Sequence, residues 1–111
     1  MEEHKFVKVL TKTDIQQRLA VPTEFVSCNG LVDGQELEVV DFNSGNTYQF
    51  VLSIRDDDYM KPVFQARGWG QFARQYYDLI PGDIIHFWKD DDQRFRICLM
   101  RDFLSRSNPA N

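Results

Sequence analysis

The sequence predicts a single all-β domain with two short helices, its strands curling into a closed or nearly closed antiparallel sheet. Short runs of alternating apolar and polar residues recur along the chain. The clearest puts Tyr48, Phe50, Leu52 and Ile54 on one face and Gln49, Ser53 and Arg55 on the other. Turn residues punctuate these runs, and the two helical segments are too short to form a bundle by themselves. At 111 residues, with 42% hydrophobic and 14% aromatic content, the chain is long enough for one buried core and too short for two.

Taken in order, Phe6 to Leu10 is rich in β-branched residues and reads as a strand. Arg18 to Val21 reads as a second, short strand ending at Pro22, which cannot donate to a ladder. Thr11 to Gln17 is then a polar loop, with Thr13 or Asp14 a candidate to cap a local turn. Pro22, Thr23 and Glu24, followed by Phe25 and Val26 and closed by Asn29-Gly30, suit one or two helical turns. Gln35 to Phe42 and Thr47 to Arg55 flank Asn43-Ser44-Gly45-Asn46, a hairpin signal. Asp56 to Met60 is a loop and Pro62 to Gln65 a short strand.

Trp69, Phe72, Ala73 and Tyr76 fall at i, i+3, i+4 and i+7, so Trp69 to Tyr76 is an amphipathic helix, expected to cover one open end of the sheet. A Gly82-Asp83 turn follows. Asp83 to Lys89 and Phe95 to Met100 are the last two strands, turning at Asp90-Asp91-Asp92-Gln93. Trp69, Phe72, Tyr76 and Trp88 all read as core. The domain is expected to span residues 5–103. Residues 1–4 and the Ser-, Asn- and Pro-containing 104–111 are expected to be disordered.

The net charge is -4 and the isoelectric point about 5.0, a balance that argues against a simple polyanion binder. The charge is segregated, however. Residues 4–18 carry Lys5, Lys8, Lys12 and Arg18 against Asp14, and residues 94–111 carry Arg94, Arg96, Arg101 and Arg106 against Asp102, each segment net +3. If the first and last strands are neighbours, the two segments form one basic face. Cys28 and Cys98 lack zinc-ligand spacing and are expected to be reduced. His4 falls at a frayed terminus and His86 inside an apolar run, so no metal or cofactor is expected. The aspartate triplets at 56–58 and 90–92 lack the spacing of a calcium loop and read as solvated hairpin tips. No nucleophile elbow, phosphate loop or zinc-protease motif is present, so no enzyme is expected. With no span of about 18 apolar residues and no secretory leader pattern, the expectation is a soluble intracellular protein without a membrane partner.

The ordered set KVLTKTDI, RLAVP, the GW..F helix start, the L.PGD turn and the closing strand FRICLM resembles the plant B3 DNA-binding domain family, over about Lys5 to Arg101. The resemblance implies a seven-stranded open antiparallel pseudobarrel with a helix near each end. It also implies a nuclear protein that binds double-stranded DNA in transcriptional regulation, holding the major groove between two loop arms. By position, the first arm is Thr11 to Arg18. It offers Lys12 and Arg18 to phosphate or guanine, Thr11 and Thr13 to phosphate, and Gln16 and Gln17 to adenine or phosphate. The second is Arg55 to Lys61, with Arg67 flanking it. Its Asp56, Asp57 and Asp58 depart from the polar or basic residues usual there, because aspartate repels phosphate. Two other readings share the fold: a protein-interaction module with weak or no DNA affinity, and the recognition domain of a restriction-type nuclease.

Overall fold

The computed structural model describes residues 4–56, 60–76 and 78–101. Seven strands, β1 (Lys5–Val9), β2 (Leu19–Ala20), β3 (Glu36–Asp41), β4 (Thr47–Asp56), β5 (Met60–Phe64), β6 (Ile84–Lys89) and β7 (Phe95–Met100), alternate with three helices, α1 (Lys12–Gln16), α2 (Thr23–Cys28) and α3 (Ala66–Arg74). The strands form one curled sheet in the order β1-β6-β7-β3-β4-β5-β2. All pairings are antiparallel except β3 with β7, which run parallel from Val39↔Phe95 to Asp41↔Ile97, so the sheet is mixed. The segments expected to be disordered fall outside the described residues except for His4, whose Nδ1 is hydrogen-bonded to Asn29 Oδ1 at 2.8 Å.

The two edge strands, β1 and β2, are consecutive in sequence. The segment joining them, which contains α1, therefore bridges the seam of the pseudobarrel. Inward-facing residues follow the expected alternation. Phe50 and Leu52 on β4, Ile97 and Leu99 on β7, and Ile85 and Phe87 on β6 are buried. Phe87 is the hub of this core, with the rings of Phe6, Phe25, Phe50, Phe64 and Phe95 at centroid distances from 5.1 to 6.1 Å. A side chain of this size contributes about 1.5–3 kcal/mol by leaving water.

Helix α3 lies on β4 in backbone contact. A Cβ at Gly68 would fall on the Gln49 carbonyl oxygen and within 2.9 Å of the Phe50 Cα, so only glycine permits this approach. The side chains of Trp69 and Phe72 fill the space beneath. At the far end of the helix, Asp41 is fully buried and accepts from Gln75 Nε2 at 2.7 Å, Tyr76 Oη at 2.8 Å, Ser44 Oγ at 2.8 Å and the Asn43 amide at 3.0 Å. These bonds satisfy the carboxylate with neutral donors. Burial, the hydrogen bond to Asp41 and the Asp41 charge together push the Tyr76 hydroxyl up to about 12.

Further expectations change beside the third helix and the parallel β3–β7 pairing. Thr11 to Gln17 is a capped helix instead of a loop, because a local capping box closes on it. Trp88 is not core: it is the register partner of Lys5 and Arg96 on the outer face, where its ring meets Phe42 edge-on at 5.9 Å. The condition for one basic face, that the first and last strands be neighbours, is not met. Strand β6 separates β1 from β7, and of the C-terminal cations Arg96 pairs with Asp90 at 2.7 Å and Arg101 with Asp78 at 2.9 Å. Asp90 is more than a solvated tip, since it also accepts from the Asp92 and Arg94 amides at 2.9 Å each. The Arg96 bond, followed by those amides, holds its carboxyl below the usual range.

Candidate nucleic-acid interface

A five-residue helix is unstable by itself in water, so the presence of α1 needs external support. Asp14 supplies it. The Thr11 hydroxyl accepts from the Asp14 amide at 3.2 Å, and the Asp14 carboxylate accepts from the Thr11 amide at 2.9 Å, closing a capping box. The same carboxylate, 3% exposed, pairs with Lys8 Nζ at 2.9 Å, and the Asp14 carbonyl accepts from Trp69 Nε1 at 2.6 Å. Burial alone would raise the Asp14 carboxyl, but hydrogen bonds from Lys8 and Thr11 and the Lys8 charge outweigh it and hold the group below its ordinary 3.8. The arm is thus fixed to β1 and to α3 at one residue.

Lys12, Thr13, Gln16, Gln17 and Arg18 are all exposed on this arm. The Thr11 hydroxyl, expected to meet phosphate, is instead engaged with Asp14. Lys12 and Arg18 form no ion pair among the described residues, whereas Lys8, Arg96 and Arg101 each do.

The second expected arm closes the β4–β5 hairpin. Arg55 and Lys61 are register partners and both are exposed. Asp57 and Asp58 lie outside the described residues, as does the Asp56 side chain. Strand β5 connects the two arms. Its Phe64 pairs with Leu19, the neighbour of Arg18, and Lys61 stands three residues earlier, about 10 Å at the usual strand rise. A major groove is roughly 12 Å wide. Between the arms, the outer face of the sheet presents the row Ala20, Val63 and Ser53, side chains short enough to let another surface approach. Arg67 does not flank the hairpin. It is exposed at the start of α3 and lines a shallow depression with Glu36, Gln49, Val51 and Gln71, about 13–20 Å along β4 from Arg55.

Sequence reasoning missed Arg74. On the last turn of α3 it lines a groove shared with Gln16 and Gln17, and no motif links residues so distant in the chain. Among the described residues no group of His, Cys, Asp and Glu is placed to hold a metal ion, and no helix is long and apolar enough to cross a membrane. Cys28 and Cys98 are free; burial, followed by the Asp41 charge, pushes the Cys98 thiol up.

No protein-family model matches the sequence, and no curated protein does. Solved structures do match. The Arabidopsis FUS3-DNA complex superposes with a TM-score of 0.73 at 18% identity, over 86% of this chain and 95% of that one. The Arabidopsis thaliana transcription factor LEC2-DNA complex gives 0.72 at 16%, over 86% and 91%. The domain has the B3-like fold. The N-terminal domain of Helicobacter pylori LlaJI.R1 shares it, with a TM-score of 0.67 at 10% identity over 96% of this chain and 92% of that one. The B3-like frame is therefore found on chains that share few residues with this one.

Proposed function

We propose that this B3-like domain binds double-stranded DNA sequence-specifically in transcriptional regulation, acting in the nucleus of a plant and without catalysis. The observation that carries the reading is the pair of arms about one groove width apart on β5, one of them a helix held in place by Asp14. Two neighbours of the same fold are DNA complexes. In this reading Gln16, Gln17 and Arg18 meet base edges, and Lys12 and Thr13 meet phosphate. Arg55 and Lys61 meet the opposite backbone, Thr11 positions the arm, and Arg67 contributes only long-range attraction.

A protein-interaction role is the second reading. The outer face of β1 and β7 leaves Val7 54%, Val9 55% and Met100 48% exposed. Selection from randomised duplexes followed by a salt titration separates the two. DNA binding with four to six phosphate contacts gives a slope of log K against log salt of about -4 to -5 and an enriched sequence. A slope near zero, or no binding in low salt, favours the protein partner.

A further inference from the structure

We propose that the groove between α1 and α3 is a phosphate subsite, with Arg74 as its cation, that grips the DNA backbone flanking the bases read by the first arm. The inference rests on the DNA-binding reading above. Gln16 and Gln17 form one wall of the groove and Gly70, Ala73 and Arg74 the other, with a volume of about 370 Å³, and none of the described lining residues is acidic. Arg74 forms no ion pair among the described residues. Its guanidinium lies over Gly70: a Cβ there would meet Arg74 Nη1 at 3.0 Å.

Gly70 accommodates that contact without any adjustment. Glycine inside a helix costs about 1 kcal/mol relative to alanine, and Gly70 is not needed for backbone contact as Gly68 is. Its lack of a side chain leaves room for the guanidinium over the helix at the edge of the groove. The guanidinium fork of Arg74, with no carboxylate among the described lining residues, suits a phosphodiester oxygen pair. The groove adjoins the expected base-reading side chains, so the backbone it receives is the one next to the sequence they read.

The test measures binding of the full chain to its selected duplex in two lengths, the core site alone and the same site extended by half a helical turn at each end. Arg74→Gln is expected to weaken the long duplex about tenfold. It should also reduce the salt slope by about 0.9, and leave the short duplex and the selected sequence unchanged. Gly70→Ala keeps the charge and favours the helix, and because the flexible end of Arg74 needs to give only a few tenths of an ångström it should bind both duplexes as the wild type does. Arg94→Gln, at the β6–β7 turn, should have no effect. Equal binding of wild type and Arg74→Gln to the long duplex would overturn the subsite alone, as would an Arg74→Gln loss that is equal on both lengths. Failure of the wild type to bind any duplex would overturn the DNA-binding reading and the subsite with it.

Discussion

The first arm and the β4–β5 hairpin stand at opposite ends of the same short strand, but different forces hold them. The first arm has almost no ladder of its own. It is kept in place by directed polar bonds that converge on Asp14 from Lys8, Thr11 and Trp69. The hairpin is an unbroken antiparallel ladder from Leu52↔Phe64 to Asp56↔Met60, carrying two cations as direct register partners. An arm fixed from three directions presents its side chains in one geometry, which base reading requires. A ladder that sets two cations opposite each other supplies charge, which acts on any phosphate backbone. The difference suggests a division of labour, with specificity on α1 and attraction on the hairpin.

The largest effect is expected where both arms share a support. Gly68→Ala forces α3 off β4 and should destabilise the domain by about 3 kcal/mol, read from the denaturant midpoint. Wild-type stability in this variant would mean that the α3–β4 approach does not hold the frame.

Next is Asp14→Asn, which should cost about 2 kcal/mol by removing the charge that strengthens the capping box and pairs with Lys8. It should relax sequence preference more than it lowers overall affinity. Because the folded carboxyl lies below its ordinary 3.8, its contribution is present above that value and lost as pH falls through the folded one. The wild type should therefore lose arm order in acid below about pH 4, seen in the Trp69 indole resonance, and the variant should lack that transition. An identical acid profile in both would show that Asp14 does not anchor the arm.

Within the arm, Gln17→Ala or Arg18→Ala should cost about 1–3 kcal/mol on the preferred site only, while Lys12→Ala should weaken all duplexes alike. Competition between selected and random duplexes distinguishes the two patterns. The smallest effect is expected from Lys61→Ala, a change of about 0.9 in salt slope with the selected sequence unchanged. If Lys61→Ala shifts that sequence and the first-arm variants do not, the division of labour is reversed.

Much of this was legible in the chain. Strand faces follow from period-2 alternation, as in Tyr48 to Ile54, and the buried face of α3 from the spacing of Trp69, Phe72 and Ala73, because both depend on neighbours within a few residues. That Asp14 takes part in a local cap was visible for the same reason, although the N-cap itself is Thr11 and the five-residue helix is too short to show a period. What tertiary structure decided is which distant groups meet. Strand order separated the two basic termini and turned Trp88 outward. It also brought Asp41 to Gln75 and Tyr76, and set Arg74 beside Gln16 and Gln17. Local pattern determines which face of each element is apolar. Sheet order and register, set by packing all those faces into one core, determine which charges are paired and which remain for a partner.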